Sequence, residues 1–207
     1  MIFTVIGKLV VQFKSEGEDC IKNVLTNIDW YIVPLLNPDG YEFSHTSDRF
    51  WRKNRRPPPE GSQCYGVDLN RNFDVGYGLG ASLTPCEEVH QGPAALSEPE
   101  VLALISLGAR LNTSLLSYIS LHAYGQSWLT PWGYKTGPVA NMEAMVEVAR
   151  AAFKEVSWDR EEIFTASCHV KVECQFGQVS AREYEVGGAA DIYYIAGGAS
   201  DDWFYER

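Results

Sequence analysis

The chain has no apolar run of the ~20 residues that a helix needs to cross a bilayer, which excludes a helical membrane span. It is also short of positive charge: 17 Lys and Arg stand against 27 Asp and Glu, for a formal net charge of −10 and a sequence pI of about 4.8. General nucleic-acid and membrane-surface binders draw affinity from excess Lys and Arg, so this balance excludes both classes. There is no internal repeat and no long low-complexity tract. With 207 residues and 45% hydrophobic content, one domain with a sizeable core is expected. Met1 to Val11 is apolar but lacks the basic n-region and small-residue cleavage site of a signal peptide, and it runs directly into Gln12-Phe13-Lys14; it reads as part of a helix. The cysteine count is odd. Of Cys20, Cys64, Cys86, Cys168 and Cys174, at least one thiol is left over after any internal pairing.

What is present alternates in period. Ile2 to Val11 has helical spacing and Ile21 to Ile28 continues as a helical or turn segment, while Trp30-Tyr31-Ile32-Val33-Pro34-Leu35-Leu36 is a continuous apolar run closed by Asn37-Pro38-Asp39-Gly40 and reads as a buried strand ending near Pro34. Ser97-Glu98-Pro99-Glu100 has the wording of a capping box, with Val101, Leu104, Ile105 and Leu111 on one face of the helix it opens and Gly108 interrupting that face. Leu115 to Leu121 is a second strand candidate, and Asn141 to Val156 a second helix, with Met142, Met145, Val148 and Phe153 among its apolar positions. Strand, helix, strand, helix predicts an α/β fold with a largely buried sheet. Pro57-Pro58-Pro59-Glu60-Gly61 is a stiff loop within that fold.

The local excess of cations is the chemical signal. Asp48-Arg49-Phe50-Trp51-Arg52-Lys53-Asn54-Arg55-Arg56 and Val67-Asp68-Leu69-Asn70-Arg71-Asn72-Phe73-Asp74 put several guanidinium forks into loop-rich sequence, where each suits a carboxylate or an oxyanion. Arg71 beside Asn70 offers a bidentate fork and an amide donor, although such a pair also serves as an ordinary salt bridge or cap. His122 follows Tyr118-Ile119-Ser120-Leu121, where an α/β sheet delivers side chains to the crevice at its strand ends; a neutral imidazole there suits zinc, and equally a structural hydrogen bond. Tyr193 and Tyr194 precede Ala196-Gly197-Gly198-Ala199-Ser200, either as phenols on a glycine-hinged loop or as aromatic packing.

Taken together and in order, the motifs closely resemble the zinc metallocarboxypeptidases of the carboxypeptidase A/B family. They are Asn37-Pro38-Asp39-Gly40-Tyr41, the Asp48 to Arg55 run, Gly66 to Phe73, Ser97 to Glu100, His122-Ala123-Tyr124-Gly125-Gln126 with Leu129 to Tyr134, and Tyr194 to Gly198 with Asp201-Asp202-Trp203. The resemblance implies a mixed, mostly parallel central sheet flanked by helices, and release of the C-terminal residue from peptides and proteins. By position, His122 matches a zinc ligand, Arg52 the arginine that stabilises the oxyanion, and Asn70 and Arg71 the clamp on the terminal carboxylate. Arg49 matches an auxiliary anion site, and Tyr124 falls among the substrate-binding positions. Tyr194 matches the mobile tyrosine that closes over the substrate, with Tyr193 as second choice. Asp201, just before Asp202-Trp203, matches the base of the pocket for the terminal side chain; an acid there resembles the B-type enzymes, which remove Lys or Arg, because an apolar side chain would leave it desolvated and unpaired. Cys64 and Cys86 match the family disulfide. A secreted monomer follows as the expectation.

Departures from the pattern sharpen that expectation. No His-x-x-Glu occurs in the chain, so two of the family's three zinc ligands are missing, and no glutamate stands in the context of the family's general base; Glu183, Glu185 and Glu206 do not match it. Residues 1–207 are therefore expected to be an incomplete peptidase catalytic domain, truncated at both ends. The stretch 159–181, with Cys168, His169 and Cys174, has no counterpart in the pattern and reads as an inserted loop. A non-catalytic protein that keeps the carboxylate clamp and binds peptide C-termini is the alternative.

Overall fold

The computed structural model describes residues 6–7, 19–123, 127–155, 163–168 and 185–207, with 19–21, 24, 151–155 and 163–168 described by backbone alone. The helix expected over Ile2 to Val11 lies outside these residues except at Ile6 and Gly7, which are helical. Two compact units divide the chain, 1–36 and 37–207.

In the first unit, helix α1 spans Asp19–Asn27, the helical one of the two readings of the segment from Ile21. The strand expected at Trp30 to Leu36 does not form. Trp30, Tyr31, Ile32, Val33 and Leu35 follow α1 without regular structure and are between 36% and 58% exposed. An apolar run becomes a strand only when its backbone groups enter a ladder, and Pro34 has no donor to contribute.

The second unit opens with a helix at the residues that close the apolar run. Asn37 caps α2 (Pro38–Thr46), its Oδ1 accepting the Gly40 N–H at 3.0 Å, and Pro38 takes the first helical position, where a missing donor costs nothing. Helix α3 (Pro99–Leu111) buries Val101, Leu104 and Gly108. The expected capping box is not used: Glu98 is the N-cap residue and makes no side-chain cap bond, while Ser97 Oγ donates to Glu98 Oε1 at 2.6 Å. The Glu98 carboxylate is buried and also accepts from Asn54 Nδ2 at 2.7 Å and Arg56 Nη1 at 2.8 Å, so satisfying a buried acid takes precedence over capping.

Four described strands, β1 (Ser117–His122), β2 (Ser127–Thr130), β3 (Ile163–Cys168) and β4 (Glu185–Gly188), form one sheet in the order β1-β3-β2-β4. β1 and β3 are antiparallel, from Ser117 opposite Cys168 to His122 opposite Ile163; β2 runs parallel to both β3 and β4. The sheet is thus mixed and mostly parallel, as the family resemblance implies. β3 falls inside 159–181, so residues 163–168 of the expected inserted loop are an interior strand; His169 and Cys174 lie outside the described residues. Helix α4 (Met142–Glu155) covers β2 and β4 through a small core of Trp128, Ala149 and Val186. After β4 come a short helix, α5 (Ala189–Ile192), and then α6 (Ser200–Glu206), whose Phe204 ring stacks on Tyr118 of β1 at 3.9 Å between centroids.

Candidate functional site

Two loops, one strand end and the turn before α6 supply the site. The loop 48–56 is tied to the turn 66–71 through Asn54: its backbone N donates to Val67 O at 2.9 Å, and its side-chain Oδ1 accepts from Val67 N at 2.8 Å. Gly66, at φ +92°, makes that approach possible, since a Cβ there would lie 2.5 Å from Asn54 O. Behind them the Cys64–Cys86 disulfide forms, and buried Lys53 donates from Nζ to Pro85 O at 2.6 Å, so the cysteine pairing implied by the resemblance holds.

Asp68 organises what this scaffold presents. It caps the short 3-10 turn Leu69–Arg71, its Oδ1 accepting the Asn70 N–H at 3.1 Å, and its Oδ2 accepts from Arg52 Nε at 3.0 Å and Arg52 Nη2 at 2.9 Å. The same oxygen lies 4.0 Å from Arg71 Nη1. Burial works to lower the Arg52 pKa, but the Asp68 carboxylate outweighs it and holds the guanidinium above its ordinary value. Sequence reasoning passed over Asp68, although an Asp two residues before Asn70 and three before Arg71 carries the signal of an N-cap beside an ion pair.

Arg71 is buried, with Nη1 donating to its neighbour Asn70 O at 2.8 Å. Its Nε has no hydrogen-bond partner among the described residues. Buried donors are rarely left unmade, so this nitrogen marks a place where an acceptor is wanted. Asn70 ties the turn to the start of α6, its Oδ1 accepting the Ser200 N–H at 3.0 Å. Tyr194 places its Oη 3.4 Å from Arg71 Nη2, while Tyr193 turns to the sheet and pairs with Ser127 Oγ at 2.6 Å. The two tyrosines are thereby separated in placement, and Tyr194 is the one beside Arg71.

His122 ends β1 with Nε2 3.0 Å from Ser120 Oγ. Burial pushes its pKa down to about 4, helped by the positive charges of Arg52 and Arg71 and opposed by Asp68, which puts the imidazole in the electrostatic field of the arginine cluster and keeps it neutral at physiological pH. Asp201, buried at the start of α6, has its carboxyl raised chiefly by burial, against the pull of Arg71. Asp202 beside it is raised by burial and by Asp201, although it accepts the Gly133 and Tyr134 backbone N–H groups at 2.9–3.1 Å. Arg49 is exposed in the turn after Asp48, and Tyr124 lies outside the described residues.

The family model described as zinc carboxypeptidase matches residues 1–207. The chain belongs to the zinc carboxypeptidase family. Human carboxypeptidase O is 35% identical over 88% of this chain and 44% of its own length, and human carboxypeptidase B 36% identical over 90% and 40%. Among solved structures, bovine thrombin-activatable fibrinolysis inhibitor in complex with tick carboxypeptidase inhibitor superposes with a TM-score of 0.77 at 30% identity, covering 99% of this chain and 60% of that one. The chain therefore spans less than half the length of these curated relatives. Zinc is the family's cofactor, but the described donors do not fit it: no group of three or more His, Cys, Asp or Glu side chains converges among them. His122 is one nitrogen donor, and the carboxylate that acts on its charge, Asp68, is committed to Arg52. A zinc site needs at least three protein ligands.

Proposed function

We propose that this chain forms the substrate-holding half of a C-terminal exopeptidase. Arg71 and Asn70 grip the free carboxylate of a peptide, Tyr194 closes over the terminal residue, and Arg52 donates to the carbonyl oxygen as it becomes an oxyanion, a contribution of about 3–4 kcal/mol where such donors are preorganised. Arg49 is an outer anion contact, and Tyr124 is assigned to substrate binding by family resemblance alone. The observation that carries this reading is the buried guanidinium of Arg71, its Nε without a partner among the described residues and Tyr194 Oη at 3.4 Å from Nη2. His122 is the one zinc donor assigned to this chain. Relatives named for both the B and O types match it about equally, so terminal specificity rests on Asp201. A buried acid at the base of the pocket supports preference for Lys or Arg, whose cation would relieve its desolvation. The Cys64–Cys86 disulfide supports an extracellular setting, and no described helix is long and apolar enough to cross a membrane. All residues of the clamp come from one chain, so a monomer suffices.

A second reading is favoured by the lack of a three-donor group among the described residues: the chain binds peptide C-termini without cleaving them. Calorimetry with a peptide ending in Lys, as free acid and as C-terminal amide, tests the clamp. The free acid is expected to bind at least tenfold more tightly, and Arg71→Ala to abolish the difference. Equal affinity for acid and amide would remove the clamp. Release of free lysine only when zinc is added would separate the enzymatic reading from the binding one.

A further inference from the structure

One motif in the sequence takes no part in the anion site. Asn112-Thr113-Ser114 is an Asn-x-Ser sequon with no proline at its middle position, and no other Asn-x-Ser or Asn-x-Thr occurs in the 207 residues. The three residues form the 3-10 turn that follows α3, and all three are exposed. Both backbone groups of Asn112 are already paired: its N–H donates to Gly108 O, and its carbonyl accepts from Leu115 N at 3.0 Å. The side-chain amide is therefore not needed to close the helix. Turn geometry gives each end of the motif a use of its own. Asn112 has φ 36°, a conformation that asparagine tolerates better than most residues, and Ser114 Oγ donates to Leu111 O. What favours modification over turn geometry alone is the Cys64–Cys86 disulfide, which belongs to the oxidising compartment where sugar is transferred to such motifs.

We propose that Asn112 carries an N-linked glycan, added as the chain enters the secretory pathway and before the turn closes on Ser114. The donor is a polyprenyl-diphosphate oligosaccharide. The Asn112 amide nitrogen forms a bond to C1 of its reducing sugar and gives up one proton; the bond from that carbon to the diphosphate oxygen breaks, and polyprenyl diphosphate leaves. The folded chain has room for the product. The turn precedes Ser117 at the start of β1, whereas His122 ends that strand, and at about 3.3 Å per residue roughly 17 Å of strand separates those two residues. The glycan thus stands at the far end of β1 from His122, Arg52 and Arg71, and leaves them open to a peptide. This assignment is independent of the carboxylate clamp.

Expression of the full chain behind a cleavable export signal in insect or mammalian cells tests it, with cell extract and medium both read. Most of the chain is expected to run as a species of lower mobility that peptide N-glycosidase collapses to the unmodified size, with Asn112 converted to aspartate in the peptide map. Asn112→Gln and Ser114→Ala are each expected to abolish the shift, and Ser114→Thr, which keeps the hydroxyl, to retain it. Because Ser114→Ala leaves Asn112 in place, its loss of the shift reports the motif and not strain at the positive φ. A chain unmodified in both fractions, or a shift that survives Ser114→Ala, overturns the proposal. Peptide affinity within about twofold before and after enzymatic removal of the glycan supports its placement away from the site, and a larger change overturns that placement.

Discussion

At the scale of single residues, the site is built from polar groups in costly places. Asp201 and Asp202 are both buried at the start of α6, and burial raises both carboxyls, with Asp201 adding to the rise at Asp202. A carboxyl whose folded pKa exceeds its unfolded value of about 3.9 contributes stability that is complete below that value and is lost as pH rises through the folded one. This pair should therefore weaken the fold from about pH 4 through neutrality. Asp201→Asn removes one buried charge and relieves the other. It is expected to raise stability at neutral pH by on the order of 1–3 kcal/mol, to flatten the decline with pH, and to cost the preference for basic termini. Urea denaturation near pH 5 and 7.5 measures the first two effects; an unchanged pH slope would refute the buried-charge account. Gly198 is under the opposite constraint. At φ +75°, with a Cβ position 2.4 Å from Arg71 O, it has no room for a side chain, and Gly198→Ala should destabilise by at least 1–3 kcal/mol and weaken carboxylate binding in the same preparations.

At the scale of elements, local preference yields to packing wherever the two compete. Gly108 lies inside α3, where alanine would ordinarily gain about 1 kcal/mol. A Cβ there would meet Phe204 Cε1 at 2.6 Å, and that ring is already fixed between Tyr118, stacked at 3.9 Å, and Trp203. The clash should win, so Gly108→Ala is expected to lower the melting temperature by several degrees, equivalent to roughly 1–3 kcal/mol of overpacking. A stabilised variant would show that α6 moves aside at little cost. Ser97 and Glu98 teach the same lesson. Their spacing spells a capping box, yet the carboxylate of Glu98 is drawn to Asn54 and Arg56 because a buried acid without partners costs more than an unused cap gains. The run from Trp30 to Leu36 reads as a strand for a local reason, its apolar continuity, but strand formation is decided by a ladder that no local sequence supplies.

At the scale of the whole molecule, long-range restraints hold the turn carrying Asn70 and Arg71 to the rest of the second unit. The disulfide closes a separation of 22 residues around the turn that carries Asn70 and Arg71. Reducing it, or replacing both cysteines by serine, is expected to cost about 3 kcal/mol of unfolding free energy through the looser unfolded chain. It should also weaken the acid-over-amide preference, because the 66–71 turn loses its anchor. Chemical denaturation with and without reductant checks the first expectation and peptide calorimetry the second; a reduced chain with unchanged stability would refute the restraint.

The sequence by itself determined the family, the α/β class, the helix opened at Pro99, a helix within Asn141 to Val156 and a strand within Leu115 to Leu121 that leads into His122. These rest on periodicity and on long ordered motifs, and both are written locally along the chain. Only the tertiary structure decided which of Tyr193 and Tyr194 stands beside Arg71, that residues 163–168 are an interior strand, and that Asp68 couples Arg52 to the turn carrying Arg71. Adjacent tyrosines differ in direction by backbone geometry, a strand exists only through its neighbours, and a carboxylate's partners are set by which guanidinium groups the fold brings within reach of it.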